Sequence, residues 1–247
     1  MRHLALRLEG PLVAFGDVMV DAVGPVRDTP STALVTGLLG NALGLRREET
    51  EALARLQERL VFAARLDRRA ERFVEFQTAE LGAGDRGWTT RGRPEGRAGG
   101  AGTYLSPHIR RRTFDADVSA LVVLRLEPAD ESPDLDRLAE ALIRPARPLF
   151  LGRKSCLPSA PLFAGFAEAD DLLGALKALP LAGDGPRRPR GEIEIVLPAT
   201  EPMPEHFRRV HVCDRRDWVA GVHTGDSVVF AGHLPRTAFE SEGRAAT

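Results

Sequence analysis

The sequence predicts an α+β chain in ferredoxin-like order, β-α-β-β-α-β, interrupted by a long inserted arm and followed by a smaller, mainly β part. Three observations lead there. Alternating or wholly apolar runs of strand length recur at His3–Leu8, Leu60–Leu66, Arg72–Ala79 and Arg110–Leu126. Between them lie two helical segments with N-terminal signals at Ser31 and at Ser132-Pro133. The arm from about 77 to 112 is rich in glycine and arginine and nearly free of aliphatic residues, so it belongs to neither pattern.

The first strand ends at Glu9-Gly10-Pro11, a turn signal. Ser31 begins a helix reaching about Leu43, with Gly44 as its stop, and a polar helix follows over Arg47–Arg59. Asp67-Arg68-Arg69-Ala70 separates the next two strands. Ser132 opens an amphipathic helix to Ile143, and Pro148–Gly152 reads as a short strand entering a basic turn. These elements place a ferredoxin-like unit at 1–160. A C-terminal subdomain at 161–247 then holds a helix over Ala169–Leu179 and strands near Glu192–Leu197, Arg208–Val212 and Val228–Ala231. Between that helix and those strands lies a Pro/Gly/Arg linker at Leu181–Arg190, and a frayed tail closes the chain at Glu240–Thr247.

The composition allows a packed core: 43% of the 247 residues are hydrophobic and 28% charged. Net charge is −1, yet the positive charge is almost all arginine, with Lys154 and Lys177 the only lysines. Clustered guanidiniums bind phosphate locally without making a protein basic overall. Two cysteines, Cys156 and Cys213, fit a reducing compartment better than a disulfide framework. No signal-peptide pattern and no apolar run of spanning length is present, so a cytoplasmic protein without a membrane segment is expected.

Several chemistries are set aside. Gly82-Ala83-Gly84-Asp85-Arg86-Gly87 matches a dinucleotide fingerprint, but Trp88-Thr89-Thr90-Arg91-Gly92-Arg93-Pro94 cannot start the helix that motif requires. Gly152-Arg153-Lys154-Ser155 has the end of a phosphate-binding loop without its upstream glycine. His211 and Cys213 are a lone pair of ligands, and His206, His223 and His233 read as surface or packing histidines. No cofactor, metal or catalytic residue is expected.

Nucleic-acid contact is what the residues favour. From Asp85 to Arg112 stand seven arginines (Arg86, Arg91, Arg93, Arg97, Arg110, Arg111, Arg112) against Asp85 and Glu95, interleaved with Trp88, Tyr104 and His108. Guanidiniums pair with phosphates while aromatic planes stack on unpaired bases. A second basic segment runs from Arg144 to Phe166 without an acid, and its glycine turn carries Arg153 and Lys154. The third candidate is the loop before the first helix, Arg27 with Ser31 and Thr32, whose amides form an anion site, although simple capping accounts for Ser31 as well.

These segments resemble the CRISPR-associated (Cas) protein family five, a RAMP superfamily, in its type I-E branch. The stretches that carry the resemblance are Leu6–Leu12 with Phe15-Gly16, Thr36–Gly44, Phe62–Arg68, Phe76-Gln77-Thr78, and Pro148–Ser159. The resemblance implies a non-catalytic subunit of the Cascade ribonucleoprotein, acting in antiviral defence and holding the 5′ handle of the guide RNA (crRNA). It implies contacts with the backbone subunit and the large PAM-reading subunit, and with target DNA through the assembled complex. The family's thumb hairpin corresponds to the arm at 77–112, and its glycine-rich loop to Gly152–Ser155. Type I-C relatives cleave precursor guide RNA without metal, for which Tyr104, His108 and Lys154 are the residues this chain offers. A protein-only assembly adaptor is the remaining alternative.

Overall fold

The computed structural model describes all residues except 20–21, 80–86, 89–93, 96–107, 184–190, 226 and 240–247, and gives 87, 88, 94, 95 and 108 in backbone alone. The tail at 240–247 and most of the linker before residue 191 therefore lie outside the described residues.

The long strand β1 (Arg2–Val13) starts the chain, followed by the short β2 (Val23–Gly24), helices α1 (Thr32–Leu43) and α2 (Thr50–Arg59), and strands β3 (Leu60–Arg68) and β4 (Glu71–Ala79). Two short strands, β5 (Gly87–Trp88) and β6 (Pro94–Glu95), pair with each other in the arm. Then come β7 (His108–Leu126), α3 (Leu135–Ile143), β8 (Phe163–Glu168), α4 (Leu172–Ala178), β9 (Glu192–Pro198), β10 (Arg208–Val212), β11 (Arg215–Asp217), β12 (Val222–Thr224) and β13 (Ser227–Pro235).

The central order is β3-β7-β1-β8, all neighbours antiparallel, which is the ferredoxin-like arrangement of two interlocked β-α-β units. Strands β9, β13 and β10 add to the β3 edge, so the C-terminal part continues the same sheet. Helices α1 and α3 cover one face of the centre through Leu4, Leu6, Leu8, Val122, Leu124, Leu39 and Leu138, all 1% exposed or less. Helix α4 covers the opposite face through Leu121, Val123, Leu172, Leu176 and Ile195.

Helix α1 has the expected ends. Ser31 accepts the Leu34 N–H at 3.2 Å, and Gly44 stops the helix in the left-handed region at φ +88°. Elsewhere the expectations shift. β1 runs through Gly10-Pro11 to Val13, because pairing with β7 continues to Val13↔Asp115 and Pro11 needs no N–H on its open side. Asp134, not Ser132, caps α3. Pro148–Leu151 is no strand: Leu149 and Leu151 are buried plugs in a loop, and β8 beyond residue 160 takes the fourth place beside β1.

The α4 face holds a buried ionic knot. Asp67, 1% exposed, accepts from Arg65 Nε at 2.7 Å, Arg7 Nη1 at 2.7 Å and the Ala182 amide at 2.8 Å. Arg65, wholly buried, also donates to the carbonyls of Leu176, Leu179 and Pro180, closing the C-terminal end of α4 onto β3. Burial pulls its pKa down against the pull of Asp67.

Candidate nucleic-acid interface

Strand β7 outruns its sheet. Its C-terminal half lies between β1 and β3, while its N-terminal half carries β4 on one edge and β2 on the other. From Ile109 to Asp115 this ribbon extends about 20 Å at about 3.3 Å per residue. Eight of the nine β4 residues are exposed.

The register sorts the ribbon into two faces, because residues paired across antiparallel strands point the same way. One face bears Glu75↔Arg112 and Gln77↔Arg110; the other bears Val74↔Thr113, Phe76↔Arg111 and Thr78↔Ile109. Arg110, Arg111 and Arg112 are all exposed, and Arg111 and Arg112 form no ion pair with a described residue. Val74 and Phe76 are 60% and 57% exposed, large apolar area that a free surface strand rarely shows.

The root of the ribbon is rigid. Arg72 grips Asp115 with two bonds, at 2.7 and 3.0 Å, and reaches Asp28 at 2.9 Å. Burial raises the Asp28 carboxyl, but Arg69 and Arg72 outweigh it and hold it below its usual range. Phe73 stacks on Phe114 with ring centres 5.9 Å apart.

The glycine turn meets this root. Gly152 has φ +94°, and a Cβ there would fall 1.7 Å from the Ala14 carbonyl oxygen, so only glycine lets the turn close against β1. Ala14 donates to the Leu151 carbonyl at 3.0 Å, and Cys156 to the Arg153 carbonyl at 2.8 Å. Arg153 then turns inward. Its Nη1 donates to the Thr113 carbonyl at 2.6 Å and its Nη2 to the Gly24 carbonyl at 3.0 Å, with the guanidinium 4.6 Å from the Phe114 ring centre. Burial lowers its pKa, and nearby Arg112 adds to that. Arg153 therefore bolts the turn to β2 and β7, while Lys154 stays exposed beside it.

The sequence-derived site residues divide accordingly. Arg110 and Arg112 share one face of the ribbon and Arg111 projects from the other; Lys154 is exposed next to Arg153, whose guanidinium lies over Phe114 at the ribbon root. Arg153 is spent on backbone carbonyls. Arg27 is held by Asp17 at 2.6 Å and the Cys213 carbonyl at 2.7 Å. Ser31 is a buried cap. Thr32 donates its N–H at 3.0 Å and its hydroxyl at 2.6 Å to Asp214, so the anion at the start of α1 is the chain's own carboxylate. Of the arm, Arg86, Arg91, Arg93, Arg97 and Tyr104 lie outside the described residues, as do the side chains of Trp88 and His108. Sequence reasoning passed over Val74, Phe76 and Ile109, which share one exposed face of the ribbon.

His211 and Cys213 join no group of three or more metal-ligating side chains among the described residues. No described helix is long and apolar enough to cross a membrane.

Residues 3–227 match the sequence model of the family described as CRISPR-associated protein (Cas_Cas5). The chain belongs to the Cas5 family. It is also 32% identical over 187 residues to the CRISPR system Cascade subunit CasD of Escherichia coli strain K12, covering 74% of this chain and 79% of that one. Among solved structures, a chain of a "CRISPR RNA-guided surveillance complex" superposes with a TM-score of 0.67 over 98% of this chain and 95% of the other at 22% identity, a likeness of fold. A second, titled "Crystal structure of Cas protein", gives a TM-score of 0.60 at 27% identity over 96% of each chain. The Cas5 assignment spans the ferredoxin-like centre, the ribbon and most of the C-terminal strands alike.

Proposed function

We propose that this Cas5 chain is a non-catalytic, cytoplasmic subunit of a type I-E Cascade complex that grips the 5′ handle of the guide RNA. The observation that carries this reading is the stripe of Arg110, Arg112 and Lys154, mounted on a root that Arg153 locks. Three exposed cations without a carboxylate partner among the described residues, on a braced surface, suit a bent single strand: the guanidiniums take phosphates, while Trp88 and Tyr104 of the arm offer stacking planes. The identity with the Cascade subunit supports the same role, and with it contacts to a backbone subunit and a large PAM-reading subunit. The arm arginines Arg91, Arg93 and Arg97 extend the grip along the strand.

A holder needs no proton-transfer pair. The described part of the stripe offers one amine, Lys154, and the remaining charge is guanidinium, which neither accepts nor releases a proton near neutrality. The test is assembly with guide RNA. Changing Arg110, Arg112 and Lys154 together to glutamate should leave purified complexes lacking guide RNA, while the variant chain keeps its own melting temperature. Guide-loaded complexes forming at normal yield would overturn the assignment of this stripe.

A further inference from the structure

Past the ribbon root, with which it shares Asp28, a cleft of about 770 Å³ opens beside β9, β13 and β10. Helices α1 and α3 cover the centre of the sheet, and beside these three strands the cleft is walled by the loop Val26–Thr32 with Asp214 and Arg215. The register places Val196, Val229, Ala231 and Val210 on the face toward the cleft, each half-buried, and Phe62 of β3 continues it. A sheet face of this composition normally packs against a second layer.

The rim has the opposite sign to the ribbon. Six carboxylates and three guanidiniums line the cleft. Five of the six acids are engaged within the chain: Asp17 with Arg27, Asp28 with Arg69, Glu58 with Arg55, Glu127 with Arg125, and Asp214 with Thr32. Glu194 is not. It sits half-buried among the valines, forms no ion pair among the described residues, and is pushed upward in pKa by burial and by Asp28.

We infer that this cleft is the seat of an amphipathic helix from a neighbouring protein subunit, apolar toward the valines and carrying a lysine or arginine that meets Glu194. An RNA strand is disfavoured here because the excess of carboxylates repels phosphate. The dimensions fit: Glu194 to Pro198 spans about 13 Å of strand, the length of about nine helical residues. The inference rests on this chain working within a multi-subunit complex, but not on which residues hold the guide.

The complex is co-expressed with guide RNA and with a photo-crosslinking phenylalanine analogue at Val210 or, separately, at Val229. Crosslinked peptides are identified by mass spectrometry. The expected product is one subunit segment with apolar and basic residues at helical spacing. In parallel, Glu194→Arg should reduce retention of that subunit about tenfold, by like-charge opposition at the contact. The guide RNA should remain bound, and reversing the facing basic residue should restore retention. Crosslinks to RNA or to this chain's own segments, no crosslink at either position, or unchanged retention in Glu194→Arg would each overturn the inference. So would loss of subunit and guide together. Guide retention in the Arg110, Arg112 and Lys154 variant is a separate readout and fails or succeeds independently.

Discussion

Removing Arg110 and Arg112 should change the salt dependence of RNA binding, whereas removing Arg153 should not. Arg110 and Arg112 stand two residues apart on one ribbon face, about 7 Å from each other, and both are exposed. Each phosphate neutralised on a single strand contributes about −0.7 to the slope of log affinity against log salt. The double variant Arg110→Ala with Arg112→Ala should therefore have a slope shallower by about 1.4. Between 50 and 200 mM salt the unmodified protein would lose about sevenfold more affinity than the variant. Arg153 is different in kind, since both of its terminal nitrogens are bonded to carbonyls at 2.6 and 3.0 Å. Arg153→Ala should weaken binding by loosening the turn from the ribbon, with the slope unchanged. Arg153→Lys should not rescue, because one ammonium cannot span both carbonyls with the planar fork. Fluorescence anisotropy with a labelled handle RNA, titrated at four salt concentrations, reads both quantities. An unchanged slope in the double variant, or an equal flattening in Arg153→Ala, would refute the division of roles.

Other perturbations test the frame around the site. Asp67→Ala leaves buried Arg65 and Arg7 without their carboxylate and the Ala182 amide without its acceptor, which should cost about 3–5 kcal/mol and lower the melting temperature by about 10 °C; a shift under 2 °C, read by calorimetry, would show the knot to be dispensable. Gly152→Ala should displace the turn from Ala14 and cost at least about 1–3 kcal/mol, with RNA binding falling further than stability; normal binding would mean the turn is not part of the grip. Glu194→Gln bears on pH. A carboxylate whose folded pKa is raised lends stability below its unfolded value of about 4.3 and loses it as pH rises through the folded value. The variant should therefore melt higher than the unmodified chain at pH 7 and equally at pH 4, and a difference that grows toward acid would contradict the burial argument.

Much of the frame was legible because its signals are local. Ser31 and Gly44 bracket α1 within thirteen residues, and Ala120–Leu124 is an apolar run that only a fully buried strand needs. β8 escaped notice for an equally local reason. Phe163–Glu168 follows prolines at 158 and 161 and contains Gly165 at φ +104°, where its pairing with β1 slips register, so no clean alternation survives. The carboxylate that joins Ser31 at the start of α1 was out of reach: Asp214 lies 182 residues from Thr32. The same blindness affects arginine. Arg27 and Arg153 stand in basic or glycine-rich loops much as a phosphate ligand would. Only the folded chain reveals that their donors end on Asp17 and on the carbonyls of Cys213, Thr113 and Gly24.

That inward use of arginine gives the site its logic. A cationic surface built from free long side chains would lose rotamer entropy on binding, of up to about 2 kcal/mol for each arginine ordered. Here that ordering is complete before any ligand arrives for the groups that set position. Arg153 fixes the turn, Arg72 fixes the ribbon root through Asp115 and Asp28, and Arg27 fixes the loop ahead of α1. The cations left over, Arg110, Arg112 and Lys154, project from a base that does not need to reorganise. Near neutrality in net charge is compatible with the same division, because Arg7, Arg65, Arg72 and Arg27 are each matched by a carboxylate of the chain, while Arg111 and Arg112 form no ion pair with a described residue. A chain at −1 can thus carry a cationic ribbon face and an acid-rimmed cleft at once. Exposed charges more than about 8 Å apart are largely screened from each other at physiological salt.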